Sequence, residues 1–208
     1  MKSLNIYKQK FKEFGVSPQS LQWKSKGAAH QRFRQFWAEI DFNNKSVLDV
    51  GCGYGEMGNF LIKKYENVIY KGVDIMPEFI ENGKKIYPDL DLEIGNYFSR
   101  SKAEVCETIT YDVVLCSGAL NSNFGTKKEN LEFRKKAIKT MFEHTNNCLA
   151  FNVSGGHPKP TNKKGSNIWY SDSLEILEYC MSLTRRVILR HHYHPTDFTM
   201  FLYKVKKK

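Results

Sequence analysis

A chain of 208 residues has room for one filled domain and is short for two. With 41% hydrophobic and 13% aromatic residues it is too apolar for a disordered protein, and no run approaches the roughly 18 apolar residues of a membrane span. The formal charge of +10 raises nucleic acid as a partner, yet only seven of the 32 basic residues are Arg, the type suited to forked phosphate contacts, and the lysines are dispersed; a solvated surface is the first reading, an anionic substrate the second.

Cys52, Cys106, Cys116, Cys148 and Cys180 are scattered, odd in number and without a CxxC pair. That is the pattern of reduced thiols in a cytoplasm and not of a zinc site, so the expected location is cytoplasmic and no metal is expected. The opening "MKSLNIYKQKFKEF" is basic and has no apolar core region, so it does not read as a secretory signal.

In chain order, the first forty residues read as helical: Phe33, Phe36, Trp37 and Ile40 recur at i, i+3, i+4 and i+7. "SVLDV" (46–50) is a short apolar strand ending in a glycine-rich turn, after which Met57, Phe60, Leu61 and Tyr65 give a helical stripe. "VIYKGVDI" (68–75) is the next strand; Pro77 then opens a helix that carries Glu78 and Glu81 early and stops at Pro88. "DLEIG" (91–95) and "YDVVLCSG" (111–118) are strands, and a helix from about Asn130 to Thr145 turns Ala137, Ile138, Met141 and Phe142 inward.

"CLAFNVSG" (148–155) is another buried strand, followed by the polar loop "GHPKPTNKKGSN". Asp172 and Glu175 have the spacing of a capping box for the helix after them. The closing runs "RVILRHHY" and "FTMFLYKV" are separated only by "HPTD", a gap that joins antiparallel neighbours and is too short for a parallel crossover. Strands apolar on both faces, alternating with helices, predict an α/β fold with an open, mostly parallel sheet whose ligand binds beyond the strands' carboxyl ends.

The first of those ends is "VLDVGCGYGEMGNFL", in which Gly53, Gly55 and Gly58 satisfy GxGxxG literally. Asp74, about twenty residues on at the end of the second strand, suits a pair of ribose hydroxyls. A P-loop is excluded, because no Gly-Lys-Ser/Thr follows. Asp49, two residues before Gly51, would repel a pyrophosphate and suits a ligand carrying a sulfonium and an ammonium.

"VLDVGCGYGEMG" resembles the first motif of class I S-adenosylmethionine-dependent methyltransferases. "GVDIMPEFI", "LEIGNYF" and "YDVVLCSG" are similar to that family's second, third and fourth motifs, and the closing hairpin to its reversed last strand. The resemblance implies a Rossmann-like, seven-stranded, mostly parallel sheet of order 3-2-1-4-5-7-6 with an antiparallel last strand and helices on both faces. It divides the chain into an N-terminal helical lead or lid, 1–42, and a methyltransferase domain, 43–208. It also implies S-adenosylmethionine as cofactor, with Asp49, Gly51, Gly53 and Gly55 around the methionine moiety and Asp74 on the ribose. Ile75 would pack on adenine, Asn96 (where the family commonly has Asp) would contact the adenine amino group, Tyr97 is a further cofactor-binding candidate, and Ser117 and Gly118 would lie under the sulfonium.

"SPQSLQWKSKGAAHQRFRQFW" (17–37) is similar to the lead of a group of uncharacterised bacterial methyltransferases, which also carry a Ser-Gly-x-x-Asn like "SGALN". The likeness implies that the lead folds over the cofactor, with Arg32 pairing with the methionine carboxylate and Trp23 excluding water. The fourth motif lacks the Asn/Asp-Pro-Pro-aromatic sequence that grips planar nitrogens in nucleic-acid bases and glutamine.

Acceptor chemistry needs alignment above all, with a base where a proton must leave. Asn121 is a hydrogen-bonding candidate, and Tyr193 and His194, in "RHHYHPTDF", are candidate proton acceptors. Strand alternation would put His192 and His194 on one face and Tyr193 on the other. The leading reading is transfer of a methyl group to a small molecule, with an RNA or nucleotide substrate as the alternative. A dinucleotide-dependent oxidoreductase and a non-catalytic cofactor sensor rank below. The oligomeric state is open.

Overall fold

The computed structural model describes residues 2–98 and 110–205, so Cys106 and the last three lysines lie outside the described residues. The chain forms two compact units, residues 1–104 and 105–208.

The first unit runs α1 (Lys2–Phe14), α2 (Lys26–Trp37), β1 (Ser46–Val50), α3 (Glu56–Lys64), β2 (Ile69–Asp74), α4 (Pro77–Ile86) and β3 (Asp91–Ile94). Its strands lie side by side as β3-β2-β1, all parallel, with Asp49 opposite Gly72 and Asp74 opposite Ile94. β1 is buried on both faces because Val47, Leu48 and Val50 are apolar in succession. Ser25 caps α2 by accepting from the Ala28 backbone N–H, and the helix buries Ala29, Phe33 and Phe36. It stops at Trp37; Ile40, expected on the same helical stripe, is buried just beyond the helix end. α1 lays Leu4, Tyr7 and Phe11 against a buried cluster of Tyr54, Met76 and Phe79, with both aromatic contacts to Phe79 edge-on.

The second unit runs β4 (Tyr111–Ser117), a 3-10 turn (Ala119–Asn121), α5 (Lys127–Glu143), β5 (Thr145–Gly156), β6 (Ser171–Asp172), α6 (Ser173–Leu183), β7 (Val187–Arg190) and β8 (Asp197–Tyr203). The order is β4-β5-β8-β7, with β4 parallel to β5 and β8 antiparallel to both its neighbours; the two-residue β6 pairs with the end of β5. With β6 set aside, the units carry the halves 3-2-1 and 4-5-7-6 of the order the resemblance implied.

Val113 to Cys116 and Cys148 to Phe151 are shut off from solvent, as continuous apolar strands should be. Arg134 of α5 is also buried, donating to the backbone oxygens of Asn130, Ser122 and Trp169; burial pulls its guanidinium down to about 10.

Two local expectations change. The reciprocal capping box forms at Thr126 and Glu129, which starts α5 at Lys127. At α6, Asp172 accepts from the Leu174 backbone N–H, while the Glu175 carboxylate sits 2.9 Å from Lys127 Nζ. Glu175 thus pairs with Lys127 of α5, and the α6 cap rests on Asp172.

Candidate active site

The first unit builds a cradle at the end of β1. Gly51, Gly53 and Gly55 all have positive φ, at 78°, 58° and 89°, which lets the chain reverse and start α3 at Glu56. The backbone N–H groups of Gly51 and Cys52 both donate to Val73 O. The Asp74 carboxylate fixes the turn from β2: Oδ2 accepts from Gly53 N and Oδ1 from Met76 N, each at 2.9 Å. Burial raises the Asp74 carboxyl, and those backbone donors act the other way.

Asp49 lies deeper. Its Oδ2 accepts from the Tyr70 hydroxyl at 2.8 Å, with both side chains buried. Burial pushes its carboxyl up to about 7; the Tyr70 bond lowers it and the Asp74 charge adds to the rise. Burial, then the two carboxylates, raise the Cys52 thiol, so it stays protonated beside them. Sequence reasoning did not single out Tyr70. Its available signal was a phenol in the strand after the acid-bearing one, but only the strand register turns that into a contact.

Gly58 completes the arrangement. A side chain there would collide with the Tyr70 ring, so this glycine lets α3 press onto β2. That is the helix–strand packing role of the third glycine in the fingerprint.

Around the cradle, Ile75 is 41% exposed just past β2, an apolar surface at a strand end. The Gly95 backbone N–H donates to Asp74 O, which brings exposed Asn96 and buried Tyr97 to the same end of β2 and β3. Tyr97 meets Phe98 edge-on at 5.6 Å.

The lead reaches the turn as well. Leu21 covers Gly53 so closely that a Cβ there would lie 2.9 Å from Leu21 Cδ2, and Ser20 Oγ is 2.8 Å from the Tyr54 hydroxyl. Arg32 lies over the Trp23 ring at 4.7 Å and donates to Ala28 O, so the two residues that the lead's resemblance pointed to form a cation–π pair.

The second unit gathers a polar row at the carboxyl ends of β4 and β5. Ser117 Oγ donates to Oδ1 of buried Asn152 at 2.8 Å. Gly118 takes positive φ and turns the chain into the 3-10 turn, where Asn121 Oδ1 accepts from Ser154 N. Ser154 Oγ donates to Asp197 Oδ1 at 3.1 Å, and the other Asp197 oxygen lies 3.0 Å from His194 Nδ1. The Thr199 hydroxyl donates to the Tyr193 hydroxyl at 2.9 Å.

The alternation expected of His192, Tyr193 and His194 does not apply. β7 ends at Arg190 and residues 191–196 form a loop containing Pro195, so His192 and His194 do not share a strand face. His191 instead stacks on Phe198, and its Nε2 accepts from His157 N.

Comparison with known proteins agrees with this layout. A family described as "Methyltransferase domain" matches residues 48–149, from β1 into β5. Magnesium protoporphyrin IX methyltransferase from Synechocystis PCC 6803, solved with bound S-adenosylhomocysteine, is 12% identical, with a TM-score of 0.64 over 98% of this chain and 95% of that one. A TehB-like SAM-dependent methyltransferase from Corynebacterium glutamicum is 14% identical, with a TM-score of 0.58 over 98% and 99% of the chains. The small RNA methyltransferase HEN1 is 13% identical, with a TM-score of 0.64 over 88% of this chain and 26% of that one.

These likenesses define a Rossmann-like α/β fold, a mixed and mostly parallel sheet with antiparallel strands at its C-terminal end and helices flanking it. Residues 48–149 thus carry the pattern of a methyltransferase domain, in a fold that the S-adenosylmethionine-dependent methyltransferases above share.

Proposed function

We propose that this enzyme transfers a methyl group from S-adenosylmethionine to a small-molecule acceptor. The observation that carries the reading is the pair of buried carboxylates, Asp49 and Asp74, on either side of a glycine turn. The residues fit the cofactor: a carboxyl held up to about 7 by burial is one whose ionised form a nearby cation would favour. Bound there, the cofactor supplies a methyl group activated on a positively charged sulfur.

The rest of the work falls to the chain. Asp49 faces the cationic amino-acid end and Gly51, Gly53 and Gly55 give the backbone close approach. Asp74 keeps lone pairs for the ribose hydroxyls, and exposed Ile75 offers a face to adenine, with Asn96 and Tyr97 beside it. Ser117 and Gly118 take the role the family gives that position. Residues 1–42 act as a lid on domain 43–208: Leu21 seated on Gly53 and Arg32 stacked on Trp23 support this, with Arg32 directed to the methionine carboxylate.

A small acceptor is favoured by the fourth motif, "LCSGALN", which lacks the planar-nitrogen grip, and by a polar row of short side chains at Ser117, Asn121 and Ser154. The charge of +10 keeps RNA as the second reading. Among the described residues no helix is long and apolar enough to cross a membrane. The free Cys52, Cys116, Cys148 and Cys180 support work in a reducing cytoplasm.

Calorimetry with S-adenosylmethionine, S-adenosylhomocysteine and NAD tests the core of this reading. Heat for the first two and none for NAD is expected; heat for NAD alone reverses it. A methyl-labelled donor supplied with separated metabolite and RNA fractions decides the substrate class. Label in RNA, with binding that weakens steeply as salt rises, would favour the second reading.

A further inference from the structure

We propose that the second unit carries a binding site for a small organic carboxylate, in a cleft between α5, β6 and α6, with Arg134 and Ser171 as its hydrogen-bond donors. The inference goes beyond methyl transfer and does not depend on it.

The cleft measures about 240 Å³ with its open mouth, and its whole lining comes from residues 127–176 of the second unit. That is room for a small ligand only.

Two donors in the lining are unspent. Arg134 is 1% exposed and Ser171 is 4% exposed. The two terminal nitrogens of the guanidinium donate to oxygens of Asn130, Ser122 and Trp169. Its Nε–H finds no acceptor among the described residues, and neither does the Ser171 hydroxyl. Buried donors without acceptors are rare in folded proteins and mark a place where something polar belongs.

Charge gives the sign of the ligand. Among the described residues no carboxylate bonds to Arg134, and with its guanidinium at about 10 it stays charged at neutral pH. The other charged groups of the cleft are Lys127, Lys159, Asp172 and Glu175. Lys127 pairs with Glu175 at 2.9 Å, while Asp172 accepts from Leu174 N and faces His157 Nδ1. Lys159 has no acid among the described residues; its Nζ lies over the Trp169 ring at 5.3 Å. Three cations against two carboxylates leave one positive charge to be met. A carboxylate matches it, and a doubly charged phosphate overshoots it.

The remaining lining is Leu131, Ile176 and Trp169, which suits an apolar or aromatic body on the acid. The Trp169 backbone N–H donates to Asn121 O, so an acid held against the indole also steadies the turn after β4.

The test uses the full chain labelled with 5-fluorotryptophan, with benzoate as the probe and acetate, inorganic phosphate and chloride at matched ionic strength beside it. The chain has three tryptophans, and Trp169→Phe identifies that ring's fluorine signal by its loss. Benzoate should shift this signal and raise the melting temperature, and phosphate and chloride at the same concentration should do neither. Acetate, which lacks the apolar body, should bind more weakly than benzoate. Ser171→Ala and Lys159→Met should each weaken benzoate about tenfold. The Ser171 hydroxyl has no partner to lose, so Ser171→Ala should not lower the melting temperature of the free protein. Should Ser171→Ala fail to fold, Lys159→Met, altered at an exposed position, supplies the same reading.

A Trp169 signal indifferent to benzoate at about 10 mM would overturn the proposal. So would a shift equalled by chloride or phosphate, or an unchanged benzoate affinity in the variants.

Discussion

The Tyr70 hydroxyl donates to Asp49 Oδ2 at 2.8 Å, a bond between neighbouring strands with both partners buried. It offsets part of the burial that raises the Asp49 carboxyl to about 7. The acid at the heart of the cradle is therefore set by a phenol two strand positions from its register partner Gly72.

Removing that hydroxyl should be felt twice. Tyr70→Phe leaves a buried acceptor without its donor, at a cost of about 1–3 kcal/mol in stability, readable in urea unfolding. The carboxyl then rises further, so S-adenosylmethionine binding at pH 7 should weaken several-fold by calorimetry. Unchanged affinity would mean that Asp49 does not meet the cofactor's charge.

The same group makes a prediction about pH. Its folded value of about 7 stands above the ordinary 3.8, so between those values the folded protein holds a proton that the unfolded chain has released. Stability of the cofactor-free protein should fall as pH rises through that window, by at most about 4 kcal/mol from this group, and Asp49→Asn should flatten the slope. A cationic ligand favours the ionised form, so its affinity should climb as pH rises through about 7, with proton release on binding below that pH. Calorimetry in buffers of different ionisation heat measures the release.

Gly58→Ala should behave unlike an ordinary helix substitution. Alanine gains helix propensity of about 1 kcal/mol, but its Cβ meets the buried Tyr70 ring, and overpacking costs about 1–3 kcal/mol. A net loss is expected in the wild-type background and a gain in Tyr70→Val, where the ring is gone. A double-mutant cycle with no coupling would refute the contact.

Arg134→Ala should destabilise the second unit by about 3 kcal/mol or more, since it empties a buried site and strips the backbone oxygens of Ser122, Asn130 and Trp169 of a shared donor. Hydrogen exchange should quicken first around Ser122 and Trp169, the segments the guanidinium holds together. Arg134→Lys reaches fewer of these acceptors and should restore only part of the loss.

Much of the fold was legible because its strands are runs of apolar residues broken by glycine and proline, a one-dimensional signal. β1, β2 and β4, the α4 start at Pro77 and the closing antiparallel pair all lie where that signal put them. The acids and glycines that meet at the β1 turn were picked out in the sequence too, because they are spaced along one segment and fall in a motif that resembles a known one. Tyr70, Ser154 and Asp197 were not, because each matters through a partner across a strand pair, and register is not written in any one segment. The 191–196 loop misled for a related reason: "RVILRHHY" is β-rich throughout, but Pro195 and the His191 contacts with His157 and Phe198 end the strand early.

β8, which stands between β5 and β7, has a consequence for biogenesis. A nascent chain that has emerged only as far as β7 exposes the long flank of β5, with the ladder from Cys148 to Ser154 unfilled. Such a flank is a template for pairing with a stranger. Release factors or proteases acting before residue 203 would thus yield a sticky fragment and not a trimmed enzyme.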